Sequence, residues 1–328
     1  MLFLTGGTGL VGLHILDALL AHRIPVRALV RTAAAGEALR SRGAEVVVGR
    51  VGDPAVWQAL ADCSGVVHAA ALVYGSTDWA AYQRVNVDAT RLAAARARQL
   101  DVPLVHISSV AVYGPRGRAA PGTVGEDAPI GSSTAGAMYP RSKRLAEAAV
   151  WEERDRGLRA IALRPCVVYG EGDRLFLPNL IRRARHGWFP LIGGGRATLP
   201  LVYAGNVAQA VVAALAARDG WGKAYNVTND DEITGGELVT YLAQGMGRPL
   251  RGVGIPRLLA MGLAGVAELG AGFTGSPLPG LQSAVRFLAD GHPYTSRAAR
   301  EALGWRPSAR HAVAFPRSVI SVTTSSAA

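Results

Sequence analysis

Eight residues near the start, Thr5-Gly6-Gly7-Thr8-Gly9-Leu10-Val11-Gly12, constrain this chain more than any other stretch. They follow Leu2–Thr5, a short apolar run that reads as a buried strand. They open a stripe through Leu13, Leu16, Leu19 and Leu20 that predicts a helix to about His22. Glycines at such a strand-to-helix turn permit the tight reversal, let the backbone approach a pyrophosphate and let the helix pack closely on the sheet. The free N–H groups and dipole of the helix start suit the phosphates. A glycine-rich pattern alone is a plain flexible turn. In this context it predicts a dinucleotide site formed by Gly6, Thr8, Gly9, Leu10, Val11 and Gly12.

The rhythm of the next 160 residues agrees. Val26–Val30, Val46–Val48, Val66–Ala70 and Leu104–Ser108 are short runs rich in β-branched residues, with helical stretches near 54–61 and 79–100 between them. A helix near 138–156 leads to a strand Ala160–Leu163 with an extension Val167-Val168-Tyr169. Strands apolar on both faces, alternating with helices, predict a parallel sheet covered on both sides. After Gly170 the alternation breaks into a Gly-, Pro- and Arg-rich stretch. The expected fold is α/β, a Rossmann doubly wound parallel sheet with a smaller C-terminal substrate-binding lobe. Residues 1–170 form the nucleotide-binding part, completed by about 201–229. Residues 171–200 and 230–315 form the lobe, and 316–328 a tail whose last six residues, Thr-Thr-Ser-Ser-Ala-Ala, are expected to fray. Ligands are expected in the cleft beyond the carboxyl ends of the strands. Leu175, Phe176, Leu177, Trp188, Phe189 and Leu191 line it with apolar surface, or else fill the core of the lobe.

Composition narrows the function classes. Two cysteines, Cys63 and Cys166, exclude a disulfide-stapled scaffold and argue against zinc. Met1 runs straight into the first strand, leaving no room for a leader, and the longest apolar run, Leu258–Ala267, is about half a membrane span. A soluble, cytoplasmic protein is the expectation. The net charge of +11 invites a nucleic-acid reading, but the arginines are spread along the chain rather than clustered on one helix or arm. The charge favours anionic small molecules instead.

Three further positions carry chemistry. The second strand ends Val30-Arg31, where an NAD site usually has an acid for the ribose hydroxyls; an arginine there accommodates the 2′-phosphate of NADP. Tyr139 and Lys143 in Tyr139-Pro-Arg-Ser-Lys143 share one helix face, and Lys143 is one of only two lysines in an arginine-rich chain. An ammonium at ~5 Å in an effective dielectric of ~20 favours the phenolate by about 3 kcal/mol, which brings a tyrosine towards proton exchange near neutrality. Pro140 restricts Tyr139 and is tolerated in a first helical turn. Ser108-Ser109, at the end of the fifth strand, offers a hydroxyl to the same substrate oxygen.

Together TGGTGLVG, His68-Ala-Ala-Ala, Asn86, SSVAVYG, YPRSK and Leu163-Arg-Pro-Cys-Val-Val-Tyr-Gly170 resemble the extended short-chain dehydrogenase/reductase superfamily, the NAD-dependent epimerase/dehydratase family. Val202–Ala210 and the late His292-Pro-Tyr-Thr and Leu303-Gly-Trp-Arg-Pro307 are similar to its 3β-hydroxysteroid dehydrogenase and dihydroflavonol reductase branch. The resemblance implies that Tyr139 is the general acid/base, that Lys143 holds the nicotinamide ribose and tunes Tyr139, and that Ser109 polarises the substrate carbonyl. It puts Gly6, Gly9 and Gly12 at the diphosphate, Ala69 and Ala70 along the cofactor, and Pro165 and Val168 over the nicotinamide. His68 reads more simply as a satisfied core histidine. The family's Gly-Asp-Leu after the third strand is here Gly49-Arg50-Val51, leaving Val51 on the cofactor side and Asp53 as a stand-in for the missing acid. The family commonly dimerises through the helices near 79–100 and 138–156. The alanines here (Ala93, Ala94, Ala97; Ala146, Ala148, Ala149) suit close helix approach in such a homodimer.

The reading that follows is an NADP-dependent, metal-free oxidoreductase acting on an apolar ketone or secondary alcohol, such as a steroid, terpenoid, polyketide or fatty ketone. The alternative is a nucleotide-sugar epimerase with tightly held NAD. Against it, Arg164-Pro165-Cys166 stands where sugar epimerases typically carry an asparagine. A non-catalytic cofactor sensor usually loses the tyrosine or the lysine, and both are present.

Overall fold

Seven short strands, buried through the middle of the sheet and more open at the edge strand Glu45–Val48, form a parallel sheet in a computed structural model that describes residues 1–73, 78–114, 124–131, 138–273 and 281–325. In chain order these are β1 (Leu2–Thr5), β2 (Val26–Val30), β3 (Glu45–Val48), β4 (Val66–His68), β5 (Leu104–Ile107) and β6 (Ala160–Pro165), followed, after three strands outside this sheet, by β10 (Lys223–Val227). Their spatial order is β10-β6-β5-β4-β1-β2-β3, so the chain reverses its direction of travel between β1 and β4. That reversal opens a crevice at the carboxyl ends of these two strands, the usual ligand position in such sheets.

Helices cover both faces. α1 (Leu10–Ala21) and α7 (Ala204–Ala216) pack side by side on one face, over a core that includes Leu4, Ile15, Val105, Ile161 and Val211. α2 (Ala33–Arg40) covers β2 and β3. The other face carries a 3₁₀ turn (Pro54–Leu60), a continuous helical run and α5 (Met138–Arg154). The run comprises α3 (Trp79–Tyr82), a π-helical turn (Gln83–Asp88) and α4 (Ala89–Gln99). Ala93, Ala94, Ala97, Ala146 and Ala149 are buried here inside the chain's own core, where small side chains let α4 and α5 sit close together. Of the six alanines expected to face a partner, only Ala148 is exposed.

The extension Val167–Tyr169 does not continue β6. The chain changes partners at Cys166, and the segment becomes β7, pairing in parallel with β9 (Leu201–Tyr203). A second pair joins β8 (Trp188–Ile192) to β11 (Arg251–Ile255). Around these strands lie α6 (Phe176–Ala184), α8 (Gly235–Met246), α9 (Arg257–Phe273), α10 (Leu281–Ala289), α11 (Arg297–Leu303) and α12 (His311–Ser325). A separate core gathers Tyr169, Leu177, Phe189, Leu242, Phe315 and Val319. Leu177 and Phe189 therefore fill the lobe rather than line a cleft, whereas Leu175 and Trp188 are exposed. Residues 316–325, read above as part of a tail, belong to α12. Phe315, Val319 and Val322 recur at helical spacing and are buried, and α12 packs on α8. Among the described residues no helix is long and apolar enough to cross a membrane.

Candidate active site

The glycine loop is held by backbone contact. Gly6 has φ +74°, and a Cβ there would lie 2.6–2.7 Å from the backbone of Ala69 and Ala70. A Cβ at Gly12 would stand 2.0 Å from the Gly6 carbonyl oxygen, so α1 can meet the loop only through glycine. Gly9 precedes α1 with no side-chain cap, which leaves the first-turn N–H groups around Leu10 and Val11 for an outside acceptor, with Thr8 exposed beside them. A turn packed too tightly for a Cβ at either glycine, leading into an uncapped helix start, fits a dinucleotide pyrophosphate.

His68 locks the floor of this cradle. Thr5 donates to its Nδ1 (2.9 Å) and accepts from the Ala70 N–H (3.2 Å), while Nε2 donates to Thr90 (3.1 Å). Thr90 in turn donates to the Asn86 carbonyl, which fixes the tautomer. The ring is fully buried, and burial together with the Lys143 charge pulls its pKa down to about 3. It is a satisfied core histidine, as its sequence context suggested.

At the end of β2, Arg31 is exposed just after buried Val30, and Thr32 caps α2. Asp53 is exposed and caps the 3₁₀ turn, its carboxylate accepting from Ala55 N–H (2.9 Å). Val51 is half-buried, with its carbonyl taken by the Trp57 indole (3.1 Å).

The chemistry-bearing residues meet where β5, β6 and α5 come together. Tyr139 lies half-buried in the first turn of α5, where Pro140 costs no hydrogen bond. Lys143 follows one turn later, buried, with Nζ donating to the Ile107 carbonyl at 2.8 Å. Burial lowers its pKa to about 8, while the Glu147 carboxylate pulls the other way. Ser109 begins the 3₁₀ turn Val110–Tyr113, its Oγ accepting from Ala111 N–H (3.1 Å). It is half-buried, whereas the buried Ser108 spends its hydroxyl on Glu147 (2.6 Å). Asn86, in the π-helical turn, binds Leu72 through both its N–H and its carbonyl and donates to Ser142 Oγ (2.8 Å). Ser142 donates on to the Tyr139 carbonyl (2.8 Å), which steadies the first turn of α5. Pro165 is buried at the end of β6, and Val168 is half-buried in β7. The glycine loop, Ala69-Ala70, Ser109 and Pro165 thus follow the carboxyl ends of β1, β4, β5 and β6, neighbours in one sheet.

Sequence reasoning missed a buried ion pair beneath these groups. Glu147 accepts from Arg164 Nε (3.1 Å) and Nη2, and from the Trp151 indole (3.2 Å). Arg164 also donates to the Tyr113 hydroxyl (2.8 Å), which donates to Asn226 (2.8 Å). Two signals were available: Glu147 stands four residues after Lys143, and Arg164 interrupts an apolar strand.

Comparison with known proteins follows the same lines. The NAD dependent epimerase/dehydratase family model matches residues 2–228. A 4-hydroxy-2-methyl-3-oxo-4-farnesyl-3,4-dihydroquinoline-1-oxide ketoreductase of Stigmatella aurantiaca is 31% identical over 268 residues, covering 81% of this chain and 79% of that protein. A 2-alkyl-3-oxoalkanoate reductase of Stenotrophomonas maltophilia is 32% identical over 257 residues, 76% of each chain. Among solved structures, MoeE5 in complex with UDP-glucuronic acid and NAD superposes with a TM-score of 0.75 over 99% of each chain at 22% identity, a likeness of fold. A family match over residues 2–228, a Rossmann-like sheet of seven parallel strands and reductase relatives along three-quarters of its length make this chain a member of the NAD-dependent epimerase/dehydratase family, an NAD(P)-dependent enzyme acting on CH–OH or ketone groups.

Proposed function

We propose that this protein is an NADP-dependent ketoreductase of apolar carbonyl compounds. The observation that carries the reading is the placement of buried Lys143 one turn from Tyr139 on α5, tied to the end of the strand that leads into Ser109. At neutral pH a lysine with its pKa at about 8 is mostly charged, and it favours the Tyr139 phenolate. Tyr139 therefore gives up its hydroxyl proton to the substrate oxygen as negative charge develops there. Ser109 donates a hydrogen bond to the same oxygen. NADPH, when bound, supplies the hydride to the carbonyl carbon. The glycine loop would hold its diphosphate, Ala69, Ala70 and Val51 would flank it, and Pro165 and Val168 would cover the nicotinamide. Arg31 would pair with the 2′-phosphate. The cleft beside the smaller lobe would take the substrate, with the protein working in the cytoplasm as a homodimer.

Both reductases in the comparison carry names of 3-oxo compounds with an alkyl or farnesyl chain, which favours an apolar ketone. The alternative as a sugar epimerase is weaker. Cys166, in the segment where such enzymes use an asparagine, is buried and its thiol pKa is pushed well up, so it offers a sugar hydroxyl little. Tyr139→Phe tests the assignment. NADPH oxidation with a panel of 3-oxo carbonyl compounds should fall by about 10²–10⁴-fold while NADPH binding persists. A variant keeping most of the wild-type kcat would refute it.

A further inference from the structure

Ser109 sits on a turn just past the last sheet bond of this segment, in which Ser108 N–H donates to the Leu163 carbonyl of β6 at 2.7 Å. Its neighbours on both sides end on one buried ion pair. Ser108, just before it, donates to Glu147 Oε2 at 2.6 Å. Tyr113, which ends the turn, accepts from Arg164 Nη1 at 2.8 Å, and the guanidinium carbon lies 5.0 Å from its ring centre. Glu147 and Arg164 are themselves 1% and 4% exposed and bonded through both carboxylate oxygens. Glu147 is on α5, one turn past Lys143, and Arg164 directly precedes Pro165. The pair therefore joins the helix of Tyr139 and Lys143, the turn of Ser109 and the strand end assigned to the nicotinamide.

We propose that Glu147 and Arg164 are positioning residues that clamp the turn 108–113 at both ends and so set Ser109 against Tyr139 and Lys143. The proposal rests on the reductase reading of this site. Burying an ion pair gains little stability over an apolar pair of the same volume, so packing alone is a weak reason for its presence. Reacting groups need a supporting layer that fixes their geometry to about 0.5 Å, and a two-ended, hydrogen-bonded clamp supplies one. Among the described residues the Lys143–Ile107 bond also ties α5 to β5, through a group that the reductase reading assigns to the cofactor. The clamp leaves Lys143 free for that duty.

Charge gives a second readout. Lys143 faces Glu147 and Tyr139 along α5, His68 from β4 and His106 from β5, with Arg164 on the far side of Glu147. Both histidines are neutral, so Glu147 supplies the negative charge that keeps Lys143 an ammonium. Glu147→Gln should lower kcat about tenfold or more, with NADPH Kd within about threefold of wild type. The alkaline fall of the reduction rate should move to lower pH, and Glu147→Asp should move it back. Ser108→Ala and Tyr113→Phe each remove one hydroxyl and keep the fold. Each should cost about 2- to 12-fold in kcat without a change in Kd. If Glu147→Gln does not fold, these two decide the question. All three variants within about twofold of wild type would overturn the proposal. Amide exchange of residues 108–113 needs no substrate: faster exchange in Ser108→Ala and Tyr113→Phe supports the clamp even if no carbonyl compound is reduced, and unchanged exchange overturns it.

Discussion

Acid should unfold this protein through histidines that the fold keeps neutral. Burial pulls His68 to about 3 and His292 to about 4, sends His106 well below its ordinary value, and lowers His311 as well. A lowered folded value means that the unfolded chain takes the proton first. The associated stability is therefore complete above the ordinary imidazole value near 6.5, and it is lost as the pH falls towards the folded values. From pH 7 to pH 5 His68 and His292 each cost about 1.9 kcal/mol, about 4 kcal/mol together. That is a large share of a typical total of about 5–15 kcal/mol. His106 acts in the same direction. Glu126 and Asp173, raised by burial, oppose it, while Lys143 titrates above the window. Urea midpoints read by tryptophan fluorescence at pH 7, 6 and 5 measure the loss. His68→Gln keeps polar contacts to Thr5 and Thr90 but cannot titrate. It should be less stable than wild type at pH 7 and lose about 2 kcal/mol less on going to pH 5. A wild-type loss below about 1 kcal/mol, or a His68→Gln variant with the wild-type pH dependence, would refute the reasoning.

Two other outcomes follow from surface residues. NADPH should bind at least about tenfold more tightly than NADH because a charge-assisted phosphate contact is worth about 1.5–3 kcal/mol. Arg31→Ala should erase most of that preference in a fluorescence titration; equal wild-type constants would sink the assignment. The protein should sediment as a dimer at micromolar concentration through the outer faces of α4 and α5. Leu145, 40% exposed on α5, should break it when changed to Glu; a wild-type monomer would count against the interface.

Local patterning made the parallel sheet readable. Leu2–Thr5 and Val26–Val30 are strands with the bounds expected, because a β-branched run closed by turn residues is specified over a few neighbouring positions. The glycine loop was legible for the same reason. Gly6 and Gly12 are demanded by contacts within one strand–turn–helix unit and with Ala69-Ala70 just past the adjoining strand. Tyr139 and Lys143 needed only helical spacing, and Pro140 fell where a proline is tolerated.

What tertiary structure alone decided were pairings between distant positions. The resemblance points to Ser109 rather than Ser108, and the fold adds a pairing that no local pattern shows: Glu147, 39 residues on, takes the Ser108 hydroxyl, while Ser109 stands half-buried at the turn. The alanines of α4 and α5 look equally apt for a partner chain, and the packing of the two helices buries all but one of the six. The polar ending hid the apolar spacing of Phe315, Val319 and Val322, which takes meaning only once α8 is there to receive it. A sequence states which side chains recur at a short period along one element, whereas burial and charge pairing depend on separations of tens to hundreds of residues that only the folded chain brings together.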